Sequence, residues 1–475
     1  MRSLKFGTNP EKEQGIYIEN NSFDDLARTR TTLEVLPNLR RLCWDASHTE
    51  WKSCNAIPFM HDKITEFAFS LDYNGSALLT TDIAARMPSL TSLRCISFRR
   101  HNPSQHQQLL KLLSEWQKLQ EVTLPKDFLD DQFLKTLSFL PELRVIQFDT
   151  LGGLPGPTTP AIRSTLEDGA FPMLYDLCLD STLDDMRHYL TGGALLPRLK
   201  NLSVESVHPE PSQTVQQFLA EVTQCYPSLE TVSVDVIVSI GKQDSCEPLM
   251  PEDLCPLLSL HQLVRLELRH NLPLQISDID LTELGAALPS IESLVLNPEP
   301  LRLTRPRFTI HSLLTVAQNF PNLFHLGLYL DAQEDMTPHA APSVPGTRMF
   351  PYLRTLNVGV SAIGPDHVPV ALFLSHLLSE NGRVVIQSGV SWNKELFERS
   401  NEYSTAVRTR CRRWDEVVKT LPLLWQLRRE EKAHRQDIEK EVEDLRMRNE
   451  VLMGKMQVNG DAKSGREIDN KCTIC

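Results

Sequence analysis

The chain has 475 residues, 41% of them hydrophobic and 23% charged, which suits either several ordinary globular domains or one long repeat array. Its net charge of -12 excludes a chain-wide basic footprint, and no nucleic-acid partner is expected. No window approaches the roughly 18 uninterrupted apolar residues of a membrane span, Met1–Pro10 lacks the apolar core of a secretory leader, and the ten cysteines are scattered as reduced thiols of the cytosol or nucleus would be.

In chain order, residues 1–36 read as a degraded repeat or cap, with Ile16 and Ile18 of the stretch Glu11–Ile18 standing where strand residues would. From Pro37 a unit written Pro-x-Leu-x-x-Leu-x-Leu/Val takes over. It is clean at Pro141–Phe148, Pro172–Leu179, Pro197–Val204 and Pro227–Val234, and it recurs at Pro37, Pro88, Pro289, Pro321 and Pro351. Copies without the proline begin at Asp62, Gln117 and His261. Successive starts fall roughly 24–34 residues apart, which resembles leucine-rich repeats and their 20–29-residue period.

The end of each unit alternates apolar and polar residues, as a short strand requires. Ahead of the motif, apolar residues at three- and four-residue spacing predict helices, as in Gln105–Trp116, Leu129–Leu140, Gln213–Tyr226 and Val370–Asn381. Proline supplies no interior N–H, so each helix stops there. No unit can bury its own apolar face, but stacked units make one core. The expected fold is therefore an α/β leucine-rich-repeat solenoid over residues 37–390, with a parallel sheet on the concave side and helices on the convex side. Leu151–Pro160 and Asp331–Gly346 are expected as loop-side insertions, and of the asparagines usual after the strand only Asn271 is in place.

Strand residues four, six and eight positions after the proline position face away from the core. Position six is mostly small and uncharged. Position eight runs Asp149, Asp180, Glu205 and Asp235, with Asp176 at position four, and the sign then changes at Arg265 and Arg269. Two readings stand: solvated turn residues at strand ends, or an acidic concave groove for a basic segment of a protein partner. Like charges on adjacent strands destabilise a sheet, which gives the groove its argument.

Beyond residue 390 the repeat is gone. Residues 391–458 read as a helical extension from Ser391, with a basic cluster at Arg408, Arg410, Arg412 and Arg413, read as a solvated helix face or a nuclear import signal, and a break near Pro422. A heptad seam follows at Ile438, Val442, Leu445, Asn449, Leu452 and Met456, flanked by Glu441 and Arg446. It reads as a short two-stranded coiled coil, which would make a homodimer, or as one amphipathic helix. Residues 459–475 form a polar tail ending Cys472-Thr473-Ile474-Cys475, which resembles a prenylation box at Cys472, although Thr473 and Cys475 depart from the pattern. A membrane partner is expected only if Cys472 is prenylated.

No phosphate loop, nucleophile elbow, zinc-protease or dinucleotide motif is present, and the glycines at 152–156 lack phosphate-loop spacing. Neither enzyme activity nor a cofactor nor a metal is expected. The irregular array written P-x-L-x-x-L-x-V, as in Pro172–Leu179 and Pro197–Val204, looks like the repeat part of fungal F-box/leucine-rich-repeat proteins over about residues 11–390. The resemblance implies a substrate held by the repeats, and a Skp1 adaptor and cullin reached through an F-box. Nothing before Pro37 matches the Leu-Pro-x-Glu-like opening of an F-box. The runner-up is a scaffold unrelated to ubiquitin, dimerised by the C-terminal helix or tethered through Cys472.

Overall fold

The computed structural model describes residues 1–6, 20–29, 32, 34–45, 53–70, 81–95, 103–125, 128, 130–149, 162–206, 208–237, 247–333, 350–378, 384–391 and 401–464. Its strands are β1 (Ser3–Phe6), β2 (Arg41–Trp44), β3 (Glu66–Phe69), β4 (Ser92–Cys95), β5 (Glu121–Pro125), β6 (Val145–Asp149), β7 (Asp176–Asp180), β8 (Asn201–Glu205), β9 (Thr231–Val236), β10 (Arg265–His270), β11 (Ser293–Leu296), β12 (Phe308–Thr309), β13 (His325–Leu328), β14 (Leu330–Ala332), β15 (Thr355–Gly359), β16 (Ala362–Ile363) and β17 (Val385–Ser388). Fourteen form one parallel sheet in chain order, and β12, β14 and β16 form a small second ladder beside its last repeats. This is the expected leucine-rich-repeat solenoid: each of the twelve motifs supplies one sheet strand.

One repeat shows why the sequence folds this way. Leu202 and Val204 of β8 are buried inward while Ser203 faces out. The following helix Ser212–Cys225 buries Val215, Phe218, Leu219 and Val222, the i, i+3, i+4, i+7 stripe of an amphipathic helix. It ends at Tyr226, next to Pro227, and the Tyr226 hydroxyl donates to the Leu190 carbonyl of the preceding unit at 2.8 Å. Neighbouring units join in one pattern; the N–H groups of Lys200 and Asn201 both donate to the Tyr175 carbonyl. The other expected helices are Pro103–Glu115, Asp131–Ser138 and Val368–Leu377. Among the described residues one large apolar core runs from Phe6 to Trp425, and a small second cluster of Tyr329, Val360 and Val407 lies under the long C-terminal helix.

The strand beside β2 is Ser3–Phe6, with Leu4 opposite Leu42 and Phe6 opposite Trp44; Glu11–Ile18 lie outside the described residues. Phe6 stacks on Trp44 at 4.2 Å, and Phe23 of the helix Asn20–Thr29 meets both rings edge-on, so the first unit is stapled by aromatic rings. At the far end β17 adds a strand that carries no motif, with Ile386 opposite Leu356. The insertion Leu151–Pro160 and most of Asp331–Gly346 are outside the described residues. Side chains from the next unit hold the turns, both around Asn271 and where the repeat asparagine is missing. Asn297 Oδ1 accepts from the His270 N–H (3.1 Å) while its Nδ2 donates to the Leu272 carbonyl (2.7 Å), and Ser361 Oγ accepts from the Leu330 N–H (2.7 Å).

The extension departs from expectation in three ways. Ser391 is not helical, and the long helix is Asn401–Ser464. It runs through Pro422 unbroken, because Leu421 and Trp425 on either side are anchored in the core while Pro422 itself is exposed. Two members of the arginine cluster are docking groups rather than a solvated face. Arg410 Nη1 donates to the Val360 carbonyl (2.7 Å) and the Tyr329 hydroxyl (3.0 Å), and Arg413 Nη1 donates to the Ile363 carbonyl (2.6 Å). With Trp414 and Val417 fully buried, the first half of this helix caps the last repeat. A solenoid end needs such a cover for its bare core and unpaired strand edge.

Candidate functional site

The open face of the sheet carries two rows of side chains, one at each end of the strands. At the C-terminal ends, Asp180 of β7 stands opposite Glu205 of β8, Glu205 opposite Asp235 of β9, and Asp235 opposite Arg269 of β10. Strands lie about 4.8 Å apart, so these three carboxylates are neighbours across the sheet, three of the four positions read from the sequence as a like-charge ladder; β6 pairs with β7 only at Val145–Asp176 and Ile146–Leu177, short of Asp149. Residues behind them, Cys178, Ser203 and Ser233, are small. Asp149 belongs to β6, but its side chain is outside the described residues.

The members differ in environment. Asp180 is nearly buried, at 4% exposure, whereas Glu205 is half-buried. Burial and the neighbouring Glu205 push the Asp235 carboxyl up to about 7, against the pull of Arg269 and a hydrogen bond from the Ile237 N–H. Between the ordinary carboxylate value and about 7, folded Asp235 holds a proton that the unfolded chain has lost. Its contribution is thus fully present below about pH 4 and is lost as pH rises toward 7, with a slope of at most about 1.4 kcal/mol per pH unit. The Asp235→Asn variant should lose this fall in stability between pH 4 and 7, measured by denaturant unfolding across the range. The same pH dependence in the wild type and in Asp235→Asn would contradict the assignment.

Arg269 closes the ladder. Its Nε lies 2.6 Å from Glu267 Oε1 and 4.0 Å from Asp235 Oδ2, and its Nη1 lies 3.8 Å from Glu299 Oε2 and donates to Ser391 Oγ at 2.8 Å. Glu299, 2% exposed, in turn accepts from the Ser391 N–H at 2.6 Å, from Ser391 Oγ at 2.9 Å and from Asn357 Nδ2 at 3.4 Å. A buried carboxylate needs such partners. They tie the sheet to the segment leading into the capping helix, whose Tyr403 hydroxyl donates to the Pro300 carbonyl (3.0 Å). Glu267, Glu299 and Ser391 are neighbours of Arg269 that the repeat pattern does not single out.

Asp176 and Arg265 belong to the other row, at the N-terminal strand ends and four residues along the chain from Asp180 and Arg269, a span of about 13 Å. There Asp176 is opposite Asn201, which is opposite Thr231, which is opposite Arg265. Burial raises the Asp176 carboxyl, offset by hydrogen bonds from Asn201 and Gln147. Arg265 is exposed. The seven charges assigned to one groove are therefore two rows, and Arg269 alone borders the acidic one.

The open face is not available along its whole length. From β11 onward the outward positions Val295, Gly327 and Asn357 are buried, with the Pro298 ring 3.4 Å from where a Cβ on Gly327 would lie. The accessible part is β2–β10, and the acidic row is at its C-terminal end. Among the described residues no group of three metal-ligating side chains comes together, and no helix is long and apolar enough to cross a membrane. The heptad positions Ile438, Val442, Leu445, Asn449 and Leu452 lie on the exposed second half of the long helix. The side chain of Met456, and Cys472 altogether, are outside the described residues.

No family model matches the chain, and no curated protein does. Solved structures with a similar architecture include the leucine-rich-repeat-containing protein LegL7 from Legionella pneumophila, at 14% identity over 77% of this chain and 96% of that one, with a TM-score of 0.35. A chain of the yeast Rad7 and Elc1 complex matches at 16% identity over 71% of this chain and 86% of that one, TM-score 0.37. TLR13, solved with ssRNA13, matches at 14% identity over 69% of this chain, TM-score 0.26; the match spans only 46% of the TLR13 chain.

Proposed function

We propose that the protein is a non-catalytic receptor that binds a protein partner on the open face of β2–β10, with the row Asp180–Glu205–Asp235 taking a basic segment and Arg269 setting its boundary. The observation that carries this reading is the in-register stack of three carboxylates on consecutive strands, bordered by one cation and backed by small side chains. Sheet stability alone disfavours like charges side by side. The proton on Asp235 and the nearby Arg269 relieve one end of the row, and Asp180 is buried at the other. A partner's lysine or arginine would neutralise the half-exposed Glu205, charge complementarity of this kind setting specificity and association rate. The test uses Glu205→Lys, at the half-exposed centre of the row. Proteins captured by the tagged wild-type chain from its own cells should be lost or reduced about tenfold with this variant, as one reversed contact of roughly 1.4 kcal/mol gives. An unchanged set of partners would sink the acidic-row reading.

The finer reading makes this receptor the substrate-recognition part of a cullin ubiquitin ligase, acting in the cytoplasm or nucleus. It rests on the likeness of the repeats to those of fungal F-box/leucine-rich-repeat proteins. Skp1 and cullin peptides among the captured proteins support it, and their reproducible absence removes it. The alternative, a scaffold unconnected with ubiquitin, is favoured by the bare apolar seam of the C-terminal helix. Tethering through Cys472 predicts a C-terminal peptide heavier by one prenyl group, which intact-mass measurement reads directly.

A further inference from the structure

The stripe of the long helix that docks on the solenoid and the bare seam beyond it are one heptad series. Trp414, Val417, Leu421 and Leu424 follow each other at spacings of three, four and three. The same alternation passes through Arg428, Glu431 and Arg435 and arrives in phase at Ile438, Val442 and Leu445. The first part is buried against the last repeat, and Arg428 Nη1 fixes its end on the Ser375 carbonyl at 2.7 Å. Every described residue from 429 to 453 is exposed, including Ile438 at 46%, Val442 at 41%, and Leu445 and Leu452 at 55%. A lone helix gains nothing from a repeating apolar stripe left in water.

We infer that this bare half is the interface with a second copy of the chain, as a parallel two-stranded coiled coil. The residues of the seam are complementary to themselves in that orientation. Val442 and Asn449 take one core position of the heptad, Leu445 and Leu452 the other. A parallel pair sets Asn449 against Asn449 of the second copy, the arrangement by which a single core asparagine fixes register and strand number. It also sets Glu441 against Arg446 of the second copy, twice by symmetry. The antiparallel pair that keeps the seam in phase does the opposite. It buries Asn449 against Leu445 of the second copy and brings Arg446 against Arg446 and Arg448 against Arg448.

The inference deepens the dimeric alternative but does not depend on what occupies the open face. About 15 Å of helix separates the last docked residue, Arg428, from Ile438, so two solenoids would leave a common stalk. Two linked faces on a partner with repeated sites gain avidity without any new contact.

Sedimentation velocity of the full-length chain at micromolar concentration tests it, with a mass twice 54.0 kDa expected. Leu445→Asp, at an exposed position, should return the chain to a monomer while leaving the circular dichroism melt of the solenoid unchanged. Glu441→Arg should weaken self-association about tenfold by turning two attractive pairs repulsive, and Glu441→Arg combined with Arg446→Glu should restore it. A monomeric wild type, or a dimer indifferent to Leu445→Asp, would overturn the interface. Failure of the paired charge reversal to restore association would overturn the parallel orientation. Loss of captured partners with Glu205→Lys in a chain that still dimerises would concern only the open face.

Discussion

Trp414→Ala should lower the unfolding free energy of the C-terminal unit by about 3–5 kcal/mol, the usual range for deleting a fully buried tryptophan from a core. Trp414 has no solvent exposure, and its indole N–H donates to the Ser361 carbonyl at 3.1 Å. It stands between Arg410 and Val417 on the face that covers the last repeat. Because repeats contact only their neighbours, the loss should be local. The helix segment 401–428 undocks and β15 and β17 fray, while β2–β10 persist. Hydrogen exchange checks this, with protection lost in residues 350–428 and kept in 121–270. Uniform loss across the array, or none, would contradict the capping role of the helix.

Gly359→Ala should cost about 2–5 kcal/mol, from two separate causes. Gly359 has φ +48°, in the left-handed region that L side chains resist, and an added Cβ would sit 2.0 Å from the Pro298 carbonyl oxygen and 2.5 Å from its carbon. Both clashing atoms are backbone, so relief requires moving the Pro298–Glu299 segment, and with it the carboxylate that holds Ser391 and faces Arg269. Gly169→Ala is the control: its φ is +80° but nothing lies within 4 Å of the new Cβ, so only the conformational cost of about 1 kcal/mol remains. Chemical denaturation of the two variants separates the causes. Equal losses would mean that the close approach at Gly359 carries no strain of its own.

The repeat was legible because it is imposed by a physical necessity repeated twelve times. A strand with two inward apolar residues marks all twelve units, and a proline ahead of it marks nine of them. The acidic row was legible for the same reason, since sheet register turns a fixed offset into a line of neighbours. What lacks a period was not legible. Ser3–Phe6 and Val385–Ser388 join the sheet through two inward residues each, with no proline to mark them. Glu299 and Ser391 are 92 residues apart and meet only because the array ends there. Arg410 and Arg413 look in the sequence like a basic cluster, and only the bare carbonyls of the last repeats make them docking groups. Pro422 marks a helix end in most sequences, but burial of Leu421 and Trp425 on either side outweighs its missing N–H.

A protein partner bound on the open face of β7–β10 should shield the backbone of those strands. Hydrogen exchange of the full-length chain, with and without the partner captured most reproducibly from its own cells, addresses it directly. The expected result is new protection in residues 176–180, 201–205 and 231–236, abolished by Glu205→Lys. Protection confined to the convex helices or to residues 401–464, with those strands unchanged, would place the receptor surface elsewhere and contradict the account.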